Sequence, residues 1–181
     1  MPWFANHSPM KDIIEKYIRN VPDFPKPGIM FKDITPLLAE PRIMQLTLNE
    51  LLRLVPRKVD KVVGIEARGF IFGTLLAEHL NAGFIPIRKP GKLPFDTHTQ
   101  SYALEYGTDS IEMHVDAIIP GEKVLIHDDV LATGGTALAA VKLVEKAGGE
   151  VVMLNFLLEL AFLKGREKLK NYPVSSLLRY E

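Results

Sequence analysis

Residues Val124–Gly149, VLIHDDVLATGGTALAAVKLVEKAGG, decide the fold. Lys123–His127 is a short apolar run and reads as a strand. Two adjacent acids, Asp128 and Asp129, stand at its tip. A small-residue turn follows (Ala132, Thr133, Gly134, Gly135 and Thr136), and then the helical pattern GTALAAVKLVEKA, halted by Gly148 and Gly149. Strand, turn and helix in that order form half of a βαβ unit, and ligands of open α/β sheets bind outside the carboxyl ends of strands. The glycines let backbone approach a ligand, the helix N-terminus points amide donors at it, and Thr133 and Thr136 add hydroxyls, which together make a cradle for a phosphate. Adjacent carboxylates repel unless something cationic or hydroxylated uses them, and they suit a vicinal diol. A phosphate beside a diol reads as a ribose 5-phosphate. The same residues also fit a plain β-turn-α unit whose Asp and Thr cap the helix. No lysine follows the glycines as in a P-loop, and the stretch lacks the dinucleotide-binding glycine pattern.

Outward from this unit, KVVGI (61–65), FIPI (84–87) and EVVMLNFLLEL (150–160) read as buried strands, with SSLLRY (175–180) as a last edge strand. GFIFGTLLAEHLN (69–81) and PRIMQLTLNELLRLV (41–55) read as helices, and KGREKLKN (164–171) as a short one. A first helix is expected over residues 8–20, capped by Ser8 with Pro9 in its first turn and an apolar face of Ile13, Ile14, Tyr17 and Ile18. The proline-rich VPDFPKPGIMF (21–31) is an irregular loop, and RKPGKLPFDTHTQ (88–100) a mobile one. SYALEYGTDSIEMHV (101–115) alternates as a β-hairpin turning at GTDS (107–110), which puts Glu105 opposite Tyr102, Leu104 and Tyr106. Strands alternating with helices predict a mostly parallel sheet covered on both faces.

The chain has 181 residues, 47% hydrophobic and 24% charged, with zero formal net charge and no cysteine. One domain is expected at this length. The neutral balance argues against a long nucleic-acid footprint. The absent cysteines exclude disulfides, a thiol nucleophile and thiolate metal sites. No run reaches membrane-spanning length and the N-terminal residues lack signal-peptide character, so a cytoplasmic protein is expected. The histidines at 7, 79, 98, 114 and 127 show no metal-ligand spacing, and no metal site made by protein side chains is expected; His127 reads as a satisfied structural residue.

Val124–Thr136 resembles the 13-residue phosphoribosyl-pyrophosphate (PRPP) signature of the type I phosphoribosyltransferases. The segments VPDFPKPGIMFKDITPLL, GIEARGFIFG, IRKPGKLP, SYALEYG and LKGREKL are similar, in order and spacing, to those of the adenine-specific branch, over residues 10–181. His127 stands where that branch usually has an aliphatic residue, Lys32 replaces a common Arg, and Phe95 a frequent Gly. The resemblance implies an α/β type I phosphoribosyltransferase fold in a single domain over 1–181. A helix and base-binding hood would span 1–36, and a mobile loop and hairpin lid 88–115. It implies purine salvage: transfer of 5-phosphoribosyl from PRPP to adenine, giving AMP and pyrophosphate, with Mg²⁺ carried mainly on PRPP and a homodimeric assembly.

The implied roles fall on particular residues. Asp128 and Asp129 hold the ribose; Ala132, Thr133, Gly134, Gly135 and Thr136 hold the 5′-phosphate. Glu66, Ala67, Arg68, Lys89 and Lys92, with Arg88 of the partner subunit, face the pyrophosphate. A cis peptide is implied near Glu66–Ala67. Met30, Phe31 and Lys32 hold adenine, with Phe31 stacking on it, and Glu105 is the general acid/base at the purine imidazole edge. Taken singly, Arg68 reads as a surface salt bridge, residues 88–92 as a solvated basic loop, Glu105 as an exposed strand carboxylate and Phe31 as part of a satellite cluster. Within the class the rival is transfer to hypoxanthine, guanine or xanthine. Outside it the rival is a PRPP-sensing regulator that binds RNA or DNA.

Overall fold

The structure, a computed structural model, describes residues 9–103 and 107–181. The chain divides into two compact units, one ending at Arg53 and one running from Leu54 to Glu181.

The first unit opens with helix α1 (Pro9–Glu15), shorter than its apolar spacing predicts. The chain turns at Tyr17 and Ile18, and Arg19–Val21 becomes strand β1. β1 pairs antiparallel with β2 (Phe31–Asp33), matching Val21 with Phe31, and this ladder draws residues 19–21 out of the helix and closes the proline-rich loop at its base. Ser8, the expected cap of α1, lies outside the described residues. A short helix α2 (Thr35–Ala39), invisible to periodicity at that length, starts where the Asp33 carboxylate accepts the Thr35 amide at 2.9 Å. Helix α3 (Pro41–Leu54) follows, burying Ile43, Thr47, Leu48 and Leu51 on one stripe.

The second unit is a five-stranded sheet. Its strands are β3 (Lys61–Ile65), β4 (Gly83–Ile87), β7 (Lys123–Leu131), β8 (Glu150–Leu160) and β9 (Val174–Tyr180), in the order β4-β3-β7-β8-β9 with every neighbouring pair parallel. The continuous apolar runs noted above are the strands buried on both faces, as a parallel sheet requires. Helices α4 (Gly69–His79) and α5 (Gly135–Lys146) make the crossovers, with Phe72 and Leu76 of α4 and Ala140, Val141 and Leu143 of α5 fully buried. The main core gathers Val63, Ile65, Ile126, Leu154 and Phe156 from the sheet around α5. The segment 164–171 forms 3₁₀ turns over Gly165–Leu169, and β9 takes the sheet edge as expected.

Two boundaries differ from the sequence reading. The hairpin pairs β5 (Thr97–Ala103) with β6 (Thr108–His114), so residues 97–100, read as loop, are strand, and Thr108–Ser110, read as turn, pair with Ala103, Tyr102 and Ser101. The outer part of β5 is polar on both faces, so it carried no apolar alternation to find. Second, β7 does not stop at His127. It runs through both acids to Leu131, because Asp128, Val130 and Leu131 still pair with Phe156, Leu158 and Glu159 of β8.

Candidate active site

β3 lies between β4 and β7, so the chain reverses its direction of growth across the sheet there. The crevice at the carboxyl ends of β3 and β7 is the topological switch point where α/β sheets bind ligands. Two loops meet that description. Glu66–Arg68 follows β3, and its Glu66–Ala67 peptide is cis, as the resemblance implies. Ala132–Thr136 follows β7 and lines a cavity of about 80 Å³ together with Asp128, Val130 and Leu131.

In the second loop Gly134 is the residue before α5 and has φ +77°, a conformation open to glycine. No side chain caps α5, so the alternative of a helix capped by its own Asp and Thr is not what the chain builds. Its first-turn amides are left for another acceptor. Gly135 differs from Gly134: among the described residues a methyl group there would meet no atom closer than 3.5 Å, the Ala103 carbonyl oxygen. None of the described residues requires glycine at 135; a ligand lying on the backbone would. Gly165, in LKGREKL, is a residue that sequence reasoning did not single out for the site. A methyl group on it would fall 2.9 Å from the Gly134 amide nitrogen and collide with the Ala132 carbonyl oxygen. It packs backbone to backbone against the loop, and a lone glycine in a charged stretch was the available signal.

Asp129 is buried and Asp128 partly so. Asp128 Oδ1 accepts the Asp129 amide at 2.9 Å. Burial and the neighbouring Asp129 charge push the Asp128 carboxyl well above its ordinary range; burial also raises Asp129, opposed by the Arg68 guanidinium. Arg68 Nε stands 2.8 Å from Asp129 Oδ2. The resemblance assigns that Arg to pyrophosphate and that Asp to the diol; the fold brings them into one ion pair across the crevice.

The other expected pyrophosphate ligands also meet carboxylates. Glu66 accepts the Lys89 amide at 2.8 Å and Arg88 Nη2 at 3.2 Å, and these contacts, the amide first, hold its carboxyl below the usual range. Arg88 thus has a partner in its own chain, and Nη1 donates to the Lys92 carbonyl at 3.1 Å. The Lys89 ammonium bonds Asp109 and Tyr102. Lys92 is exposed. In the first unit, Met30 is exposed, Phe31 and Lys32 are half-buried, and Phe31 packs edge-on to Phe24 with centroids 5.1 Å apart. Glu105 lies outside the described residues.

His127 is buried in the middle of β7. Its Nδ1 donates to Asn155 Oδ1 at 2.9 Å, Asn155 donates to Ser175 at 3.0 Å, and the three are register partners across β7, β8 and β9. Burial lowers the imidazole pKa to about 4, so it is neutral. Its Nε2 has no partner among the described residues, so the histidine is structural but only half satisfied. Among the described residues no group of three or more His, Asp or Glu could hold a metal ion.

A parallel sheet with its switch point at a phosphate-type turn and a paired-acid strand end fits the phosphoribosyl transferase class, and the family profile of the phosphoribosyl transferase domain matches residues 34–177. An adenine phosphoribosyltransferase of Christiangramia forsetii is 62% identical over 168 residues, covering 92% of this chain and 98% of that one. The chain belongs to the adenine phosphoribosyltransferase family. The crystal structure of the Rhodothermus marinus member superposes with a TM-score of 0.91 at 56% identity, covering 96% of this chain and 100% of that one. The Saccharomyces cerevisiae enzyme, complexed with an imino-altritol bisphosphate and adenine, gives 0.89 at 41% identity, covering 93% and 98%.

Proposed function

We infer that the chain transfers the 5-phosphoribosyl group of PRPP to adenine, giving AMP and pyrophosphate, as a purine-salvage enzyme of the cytoplasm. The observation that carries this reading is the uncapped turn Ala132–Thr136 beside the incompletely neutralised pair Asp128–Asp129, a phosphate seat next to a diol seat at one strand end. The family supplies the base: the yeast relative is complexed with an imino-altritol bisphosphate and adenine.

In the reaction the C1′–O bond to pyrophosphate breaks, N9 of adenine bonds C1′, and the N9 proton leaves. Asp128 and Asp129 accept hydrogen bonds from the ribose hydroxyls, and the loop amides of 132–136 hold the 5′-phosphate. Arg68, Lys89 and Lys92, with the Glu66–Ala67 backbone and Arg88 of the partner subunit in a homodimer, meet the departing pyrophosphate. Mg²⁺ would ride mainly on PRPP, keeping phosphate and water oxygens as ligands, and would supply neutralisation of the phosphate charge; Asp128 and Asp129 stay with the ribose hydroxyls. Phe31 stacks on adenine, and main-chain groups of Met30 and Lys32 read its edge. Glu105 takes up or relays the purine proton, and Glu105→Gln should lower single-turnover rates by roughly 10²–10⁴-fold, the usual worth of general acid–base catalysis. An unchanged rate would remove that role.

Incubating the protein with Mg²⁺, PRPP and each purine in turn, and identifying the nucleotide, tests the whole reading. AMP from adenine is expected. IMP, GMP or XMP as the main product would move the specificity, and no product with RNA or DNA binding would favour the regulator. Action of Arg88 in trans predicts partial activity when Arg88→Ala subunits are paired with Asp128→Asn subunits; inactive verified hybrids would count against it.

A further inference from the structure

Three of the four cations expected at the pyrophosphate are already paired with an acid: Arg68 with Asp129, Arg88 with Glu66 and Lys89 with Asp109. Asp129 and Glu66 belong to the site as read above. Asp109 has no role there.

Lys89 lies two residues beyond β4. Its ammonium donates to the Asp109 carboxylate of β6 and to the Tyr102 hydroxyl of β5 at 3.1 Å, and stands 5.7 Å from the Tyr102 ring centroid. The Tyr102 hydroxyl donates to Asp109 Oδ2 at 3.1 Å, and the Ser110 amide to Oδ1 at 2.7 Å. Tyr102 and Asp109 are direct cross-strand partners, so their side chains share one face of the hairpin. Tyr102 also reaches the phosphate turn: a methyl group on Gly135 would sit 3.6 Å from its Cδ2. Partial burial works against the Lys89 charge, but Asp109 and Tyr102 more than offset it and raise its pKa; Lys89, then the Ser110 amide, hold Asp109 below the carboxylate range. Both groups are ionised at neutral pH.

A lysine ammonium is a compact point charge. A pyrophosphate oxygen that recruits it must draw it from a carboxylate already in contact. Resting on the reading of Lys89 as a pyrophosphate ligand, we propose that Asp109 is a specificity- and release-determining residue, a counter-ion that competes with pyrophosphate for Lys89. It weakens the hold on PRPP and pyrophosphate and leaves AMP, which has no pyrophosphate, untouched. Asp109 touches no reacting atom; it acts through Lys89.

Asp109→Asn keeps the size of the side chain and a neutral hydrogen bond. Titration calorimetry with magnesium pyrophosphate should show affinity rising roughly two- to fivefold, about what a half-exposed ion pair contributes, while AMP affinity stays as in wild type. Asp109→Ser provides a second variant should the first unfold, checked by thermal melting. In a Lys89→Met background, where pyrophosphate affinity is already reduced, the gain from Asp109→Asn should vanish. Weaker pyrophosphate binding in Asp109→Asn would make Asp109 a support for Lys89 and overturn competition. Unchanged affinity, an equal gain for AMP, or a gain that persists without Lys89 would overturn it as well. A wild-type chain that binds AMP but not magnesium pyrophosphate would sink the Lys89 reading and this proposal with it. A wild-type chain that binds neither would sink the proposed function itself.

Discussion

Neighbouring strands β7 and β8 each carry acids near their carboxyl ends, and the two sites are built in opposite ways. Glu159 of β8 is 2% exposed and fully partnered. It takes Arg166 Nε at 2.9 Å, Arg166 Nη2 and Ser176 Oγ each at 2.5 Å, and has Arg179 at 3.8 Å. The Arg166 hydrogen bond, then Ser176, hold its carboxyl below the usual range despite burial. Asp128 and Asp129 of β7 are shifted the other way, by burial first, and Arg68 is the one cation in an ion pair with them among the described residues. Asp128 of β7 pairs with Phe156 of β8, three residues before Glu159, so this contrast lies along one ladder of one sheet. An acid whose charge the fold satisfies is there for the fold. A pair whose charge the fold opposes is kept for something that arrives with hydroxyls or cations.

The largest expected effect of breaking the contrast is on binding. The double variant Asp128→Asn/Asp129→Asn should lose roughly 100-fold in AMP affinity by calorimetry, the worth of hydrogen bonds to a charged acceptor, while Glu159→Gln should lose almost none. Native affinity in the double variant would end the diol assignment.

Stability should respond in the other order. Glu159→Gln leaves Arg166 and Ser176 without their anion and should lower unfolding free energy by about 1–3 kcal/mol in urea melts. A Gln variant as stable as wild type would mean that the cluster is ornamental. The same logic separates two adjacent glycines. Gly134→Ala forces a side chain into φ +77° against Gly165 and should destabilise the chain. Gly135→Ala has protein-side room, so it should melt normally yet lose roughly fivefold in affinity for phosphate-bearing ligands, about one hydrogen bond. If Gly135→Ala binds AMP as wild type does, the phosphate lies elsewhere.

Much of this arrangement was legible in the residues. The parallel sheet followed from apolar runs such as KVVGI and EVVMLNFLLEL, because strands buried on both faces leave that signature. The turn before α5 and the acids near the end of β7 followed from DDVLATGGT. The end of β7 did not, since acids mark a strand end by habit while cross-strand pairing with β8 decides it. The polar start of β5 was hidden because it buries no continuous face. Asp109 and Gly165 were hidden for a different reason. Their roles depend on which side chain or backbone lies opposite in space, and only the hairpin register and the fold of the 3₁₀ segment supply that.

The central claim is that Asp128 and Asp129 are retained for a ligand at the expense of the ligand-free fold. A folded-state pKa raised above 3.8 means that the folded chain prefers the protonated acid; relative stability is greatest below the ordinary value and is lost as pH rises through the folded value. Glu159, lowered from 4.5, gives the reverse, with its contribution lost as pH falls through the folded value. The most direct test is thermal unfolding of wild type and Asp128→Asn from pH 3 to 8, with and without AMP. The account predicts that ligand-free Asp128→Asn melts at or above wild type near pH 7, that this advantage disappears towards pH 3, and that the AMP-induced rise in Tm is much reduced. A variant that melts below wild type at pH 7 and keeps the full AMP-induced rise would contradict it.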